Sequence, residues 1–260
     1  MFFKRHLTYT KYFLFPSGIL LGFFLFWIIQ RDNPEPEIYV GKICLIIDDF
    51  GNSLNEEIIG FLNLGHNITI AIIPGHQYTR ETAVRASENG IEMMIHMPME
   101  SWEGIDPDET RYSLHQGLNQ EEFNNRIDMA FDEIPNAIGM NNHQGSKSTE
   151  NPQQMKMLAR ILKKRDLLFV DSFTSPDSRA LVTMKKMGVK TGLRQLFLDN
   201  EEDETSIRNQ LDSLMVIAKD RGSVIGIGHC KPITLKVLRE ALPEIEKNGF
   251  KLVPVSEIVN

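Results

Sequence analysis

The sequence predicts an α/β protein, a (β/α) barrel of about seven units that is irregular or incomplete, preceded by one N-terminal transmembrane helix. Three observations point there. Short apolar runs alternate with amphipathic stretches from residue 43 to the carboxyl end. Strand and helix in alternation make a mostly parallel sheet with helices outside. Ionisable residues gather where the apolar runs stop, the end at which such folds place their sites. A doubly wound sheet is the alternative arrangement.

Residues 12–30 carry no charge and are dense in Phe, Leu and Ile, with Trp27 near the end. About 20 apolar residues in a helix cross a bilayer core. Lys4, Arg5 and Lys11 precede the run. They hold the amino end in the cytoplasm, so the body is expected on the periplasmic, extracytoplasmic side of the cytoplasmic membrane. The run ends Phe26, Trp27, Ile28, Ile29, Gln30, without the small residues of a cleavage site, and so reads as an uncleaved single-pass anchor. Residues 1–30 are then a membrane anchor, 31–40 a polar, Pro-rich linker, and 41–260 the barrel domain.

Apolar runs at 43–47, 68–73, 91–95, 167–170, 224–228 and 251–254 read as strands, with a weaker run at 137–140 and short ones near 189 and 196–198. Helices are expected over 55–64, 79–87, 121–134, 152–164, 176–187, 204–221 and 233–247. Ser53 with Glu56 has capping-box spacing for the first helix. Asn151 before Pro152, and Ser175 before Pro176, each place a cap ahead of a first-turn proline. Gly65, Gly90, Gly188, Gly222 and Gly249 each follow a helical stretch, where a left-handed stop is expected. Met155, Met157, Met184 and Met187 read as core filler, and the acidic residues 201–204 as a solvated helix start.

Net charge is −7 with no basic cluster in the body, which argues against nucleic-acid binding. The two cysteines, Cys44 and Cys230, fall at opposite ends of a parallel sheet and are expected as free thiols. Nothing in the sequence indicates a protein partner.

The first strand runs from Ile43 into Asp48, Asp49, Phe50 and Gly51. Strand alternation sends the two carboxylates in different directions. Two adjacent buried carboxylates are costly without a cation or proton donor, so one is read as a metal ligand and one as a base. The bland reading of an Asp here is a helix cap, which Ser53 makes less needed. Other strand ends supply His96, His143, Asp171, Asp199 and His229. Asp49, His96 and His143 form a candidate site for zinc or a similar divalent metal. Asp48 is the candidate base and His229 the candidate acid, with Asp171 or Asp199 orienting its ring. His6, His66, His76 and His115 read as solvated, although His76 follows a strand end and can reach the mouth. Trp102 opens a long polar segment, 101–119. Packing on the rim is the commoner fate of such a Trp, and stacking on a sugar the alternative.

Several of these residues carry a resemblance. Leu45-Ile-Ile-Asp48-Asp49-Phe-Gly51 resembles the first motif of the polysaccharide deacetylases, the NodB-homology group. The rest resembles their divergent branch, the divergent polysaccharide deacetylase family. The matching pieces are His96-Met-Pro-Met-Glu100, Gly139-Met-Asn-Asn-His143-Gln-Gly-Ser146, Asp171-Ser172, Phe197-Leu-Asp199 and Ile227-Gly-His229-Cys-Lys-Pro232, across residues 40–258. The resemblance implies a distorted (β/α) barrel with fewer than eight regular units. It implies Asp48 as base, Asp49 as metal ligand and His229 as catalytic histidine, acting on an N-acetylated carbohydrate polymer of the cell envelope. Two departures stand out. The family places two metal histidines in one short motif, whereas here His143 must supply the second. The family's arginine, which holds the base, is missing, and Asn141, Asn142 and Gln144 stand in its place. The expected function is metal-dependent removal of acetyl groups from envelope carbohydrate. The alternative is a catalytically weak or inactive glycan-binding or scaffold module. Hydrolysis of a peptide or phosphodiester is a weaker third option, and the absence of an Arg/Lys cluster at the strand ends argues against phosphates.

Overall fold

The computed structural model describes residues 39–259. The expected membrane span and most of the expected linker lie outside them. Among the described residues no helix is long and apolar enough to cross a membrane.

Strand β1 (Gly41–Phe50) is the hub of one parallel sheet. It pairs with β8 (Ser223–His229) from Lys42 to Asp48. On its other side it pairs with β9 (Phe250–Leu252) over Gly41 to Ile43, then with β2 (Thr69–Ile72) from Ile46 onward. Beyond β2 come β3 (Glu92–Met99), β4 (Gly139–Gln144), β5 (Leu168–Asp171) and β6 (Thr191–Leu193). Beyond β8 comes β7 (Leu196–Phe197). The edges of this path are β6 and β7, which are consecutive in the chain and separated only by Arg194 and Gln195. So short a link spans at most about 11 Å, so the sheet must curl until its edges nearly meet. No ladder joins them among the described residues, and closure is incomplete.

The central strands are buried on both faces, which explains their unbroken apolar runs. On β1, Ile43, Leu45 and Ile47 face the helices, while Cys44 and Ile46 face inward. The inner core also holds Ala71, Met94, Val170, Ile225 and Ile227. The outer core is larger and is shared with α1 (Glu56–Leu62), α2 (Thr79–Glu88), α3 (Gln120–Glu133), α4 (Ser146–Glu150), α5 (Pro152–Lys164), α6 (Ala180–Met187), α7 (Glu204–Arg221) and α8 (Pro232–Lys247). Met155 and Met184 are fully buried in it, and both cysteines are free.

The local signals held at most ends. Asn151 caps α5 by accepting from Gln153 N and Gln154 N, and the five glycines named above all have positive φ. Three expectations are corrected. The cap of α1 is Asn55, whose side chain accepts from Ile58 N, and not Ser53. Helix α6 starts at Ala180 rather than 176, because Ser175 Oγ accepts from Asp177 N and closes a turn first. Helix α4 was not anticipated, since five residues are too few to display a helical period.

Candidate metal centre

The site is the top of the inner core. Inward positions recur every second residue. On β1 they read Cys44, Ile46, Asp48; on β3, Met94, His96; on β8, Ile225, Ile227, His229. Each column is apolar below and ionisable above. The ladders then bring the columns together: Asp48 pairs with His229, and His96 with Asn141. His143 is two residues beyond Asn141 on β4, hence on the same face. His96 and His143 lie within their strands, slightly before the ends where they were expected.

Asp49 should point outward by alternation, and does not. Its φ is 71°, and the β1–β2 register shifts between Ile47 and Phe50. Asp is among the few residues that tolerate this left-handed conformation, and strain of this kind concentrates at functional sites. The kink returns the Asp49 carboxylate to the mouth, so both aspartates face His96, contrary to the sequence expectation that they part. His96 Nε2 lies 3.3 Å from Asp49 Oδ1 and 3.6 Å from Asp48 Oδ2. His143 Nδ1 is also 3.3 Å from Asp49 Oδ1.

These three side chains fit a divalent metal. One ligand atom from each of Asp49, His96 and His143 lies within 4.8 Å of the others. Asp49 Oδ1 is buried and, despite two nitrogens at 3.3 Å, has no well-aligned hydrogen bond. A buried carboxylate oxygen left without a partner is costly, and a cation there would remove the cost. Two imidazoles and a carboxylate are the donor set of hydrolytic zinc and related sites.

Asn141 organises the centre. Its Nδ2 donates to Asp48 Oδ1 at 2.8 Å, and its Oδ1 accepts from His96 Nδ1 at 2.8 Å. With Nδ1 carrying the proton, His96 Nε2 is left free to bind. The same amide holds Asp48 as an acceptor. Holding Asp48 is the role that the resemblance assigns to an arginine, and here an amide fills it.

His229 Nδ1 donates to Asp199 Oδ1 at 2.7 Å. Asp199 Oδ2 accepts from His229 N and Thr234 Oγ1, which fixes the carboxylate. Asp171 takes no part in this. It has the outward parity of Phe169, and it accepts from Phe173 N, Ser178 Oγ and Leu181 N. It braces the turn into α6. Of the two candidates for orienting His229, the geometry selects Asp199.

Charge follows this arrangement. Burial, with Asp49 beside it, raises the Asp48 pKa against the pull of His96 and Asn141. Burial opposes ionisation of Asp49 too, but the two imidazoles override it and hold the carboxyl well below the usual range. Burial disfavours charged His96, yet Asp48, Asp49 and Asn141 outweigh it and raise its pKa to about 9. His229 is raised as well, Asp199 overriding burial.

Glu109 was not anticipated from the residue pattern. It lies in a 3-10 turn within 107–109 of the long loop and is only 6% exposed. Its Oε1 stands 3.4 Å from His143 Nε2 and 3.6 Å from His76 Nε2. His76 thus joins the rim of the cluster, as its position allowed, while His66 pairs with Glu246 elsewhere. Phe197 stacks under His229, with ring centroids 5.6 Å apart, and the Arg194 guanidinium lies 3.6 Å from the Phe197 centroid. Trp102 is 63% exposed rather than packed on the rim. A cavity of about 660 Å³ lies at the opposite, amino ends of the strands, lined by Asn67, Ile91, Glu92 and Pro254, and holds none of these residues.

A curled parallel sheet with an Asp-His-His cluster at its carboxyl rim is the frame of a polysaccharide deacetylase-like protein. The chain belongs to the divergent polysaccharide deacetylase family, whose profile matches residues 45–259. It is 34% identical over 207 residues to an uncharacterized Haemophilus influenzae protein, covering 80% of this chain and 73% of that one. Among solved structures it is similar to ATU2773 of Agrobacterium tumefaciens, with TM-score 0.81, 21% identity, and coverage of 89% of this chain and 94% of that one. Two more distant chains share the fold alone, each at 12% identity and TM-score 0.51. One is the Bc1960 peptidoglycan N-acetylglucosamine deacetylase, with 86% of this chain and 89% of that one covered. The other is BA3943 of Bacillus anthracis, a CE4 family pseudoenzyme, with 87% and 66% covered.

Proposed function

We propose that the chain is a divalent-metal hydrolase that removes acetyl groups from N-acetylated carbohydrate of the cell envelope. The observation that carries this reading is the buried, unpartnered Asp49 Oδ1 with an imidazole nitrogen at 3.3 Å on each of two strands. Asp49, His96 and His143 would hold the ion, with zinc suited to the donor set. Such an ion polarises an amide carbonyl and acidifies water.

The other groups supply the proton transfers. Asp48 takes the proton of the attacking water; burial and the Asn141 hydrogen bond keep its carboxylate poised and aimed. His229, charged and steadied by Asp199, gives its proton to the departing nitrogen. The two stand on adjacent strands at paired positions, so they serve one substrate from neighbouring points of the rim.

The test pairs metal content with acetate release from an N-acetylglucosamine oligomer. Asp48→Asn is expected to keep its metal and lose acetate release by roughly 10²–10⁴-fold. Asp49→Ala, His96→Ala and His143→Ala are each expected to lose metal, and unchanged metal in all three would overturn the reading. A second reading, glycan binding without turnover, draws on the absent arginine. It is favoured if the wild-type chain binds metal and oligomer yet releases no acetate.

A further inference from the structure

Two histidines face the candidate metal centre, and they do so through opposite nitrogens. His96 turns Nε2 toward Asp49 Oδ1, and its Nδ1 is tied to Asn141 on the neighbouring strand. His143 turns Nδ1 toward the same oxygen. Which nitrogen of an imidazole can bind is set by the hydrogen bond that the other makes. For His143 the group facing the other nitrogen is Glu109, with Oε1 3.4 Å from Nε2. An acceptor there keeps the proton on Nε2 and leaves Nδ1 with its lone pair free.

Glu109 comes from outside the sheet, and the loop that brings it is built to hold it. Its carboxylate is buried, and the 3-10 turn that carries it is capped by Asp106, which accepts from Asp108 N at 2.9 Å. The Glu109 carbonyl accepts from Tyr112 N and Ser113 N, both at 2.9 Å. Arg126 of α3 donates to the carbonyls of Thr110 and Ser113. Tyr112 is buried against Gly75, so closely that a Cβ there would meet its ring at 2.3 Å. The loop then rejoins the sheet at Leu114, whose N donates to Pro98 O at 2.8 Å. Pro98 is the residue of β3 that pairs with His143. The loop is therefore anchored beside the ring that its carboxylate faces. The bland use of a buried Glu here is an ion pair with His76, whose Nε2 lies 3.6 Å from the same oxygen. That contact is longer, and among the described residues His76 Nε2 makes no hydrogen bond.

We propose that Glu109 is a positioning residue for His143: its carboxylate accepts the Nε2 hydrogen of the ring, so that Nδ1 is the nitrogen left to bind the ion. The inference rests on the proposed metal centre and adds a demand to it. The loop over residues 101–119 must be in place for the ion to be held tightly, so the order of that loop and the occupancy of the centre are coupled.

The probes are zinc, in competition with a chelator, and NMR-active cadmium with isotope-labelled histidine, both on the full chain. In the wild-type chain cadmium is expected to couple to Nδ1 of one histidine and Nε2 of another, and His143→Ala to remove the Nδ1 coupling. Glu109→Ala is expected to weaken zinc binding about 10–100-fold and to lose the Nδ1 coupling or move it to Nε2. Glu109→Gln keeps an acceptor oxygen and is expected to recover most of the affinity with the Nδ1 coupling intact. A merely structural loop residue would lower affinity without changing the choice of nitrogen. Coupling to His143 through Nε2 in the wild-type chain, wild-type affinity in Glu109→Ala, or equal losses in Glu109→Gln and Glu109→Ala overturns the proposal. Its failure is separable from that of the hydrolase. Acetate release by the wild-type chain, with undiminished zinc affinity in Glu109→Ala, removes the positioning role and leaves the hydrolase. Glu109-dependent zinc binding without acetate release removes the hydrolase and leaves the positioning role. A wild-type chain that binds neither metal overturns both.

Discussion

Asn141 shows how one neutral side chain can do the work of two charged ones. It orients the proposed base, Asp48, through its amide hydrogens and a candidate metal ligand, His96, through its oxygen. Asn141→Ala is expected to lower metal affinity about 10–100-fold and to raise the water-exposed freedom of Asp48, both checked by chelator competition and acetate release. Glu109→Gln is expected to weaken metal binding less, because His143 Nε2 keeps an acceptor oxygen. Asn141 was visible only as one of three residues standing where the family has its arginine, and Glu109 was not visible at all. An amide carries no charge signal, and Glu109 sits in an irregular loop far from any strand end. Asp48, Asp49, His96, His143, Asp199 and His229 were legible, because each ends or nearly ends an apolar run. Asp171 was misplaced although the strand alternation already gave it the parity of Phe169. The inward turn of Asp49 depends on a backbone kink that no residue pattern announces. The His229–Asp199 pair sets a pH limit. The His229 pKa is raised above its ordinary 6.5, so the stability it adds is full below that value and is lost as pH rises through the folded pKa. The Asp199 pKa is lowered, so its share is present above its ordinary 3.8 and is lost as pH falls through the folded pKa. Asp199→Asn is therefore expected to move the alkaline limb of the pH–rate profile to lower pH, and an unmoved limb would exclude this pairing from the reaction.

At the scale of elements, β3 and β4 carry both histidines, and their spacing depends on close backbone contact further down. A Cβ added at Gly139 would lie 2.1 Å from the Leu168 carbonyl oxygen of β5. Backbone cannot yield as a side-chain tip can, so Gly139→Ala is expected to destabilise the fold by about 1–3 kcal/mol and displace His143. Denaturant unfolding and metal content check the two effects separately. The order of strands and helices was readable because the central strands are buried on both faces and many helix ends bear a cap or a glycine. What was not readable is short or irregular: α4, the turn before α6, and the loop that carries Glu109. In these segments side-chain hydrogen bonds, and not apolar period, decide the path.

For the molecule as a whole, the candidate metal centre joins side chains from three strands, so a bound metal is expected to stabilise the fold. At a free concentration 100 times the dissociation constant the gain is about 2.7 kcal/mol. For a chain of this size, chelation should then lower Tm by roughly 5–10 °C, while Asp49→Ala should show no response to chelator. The same centre is closed by distant parts of the chain. Strand β1 finds β8 and β9 only some 180–210 residues later in sequence. During synthesis the first strand must therefore wait, one edge bare, until almost the last residue has emerged. Such non-local pairing is slow and leaves the growing chain open to aggregation. A chain stopped just before Phe250 would keep every candidate ligand and yet leave the foot of β1 unmated, so it should accumulate in inclusion bodies.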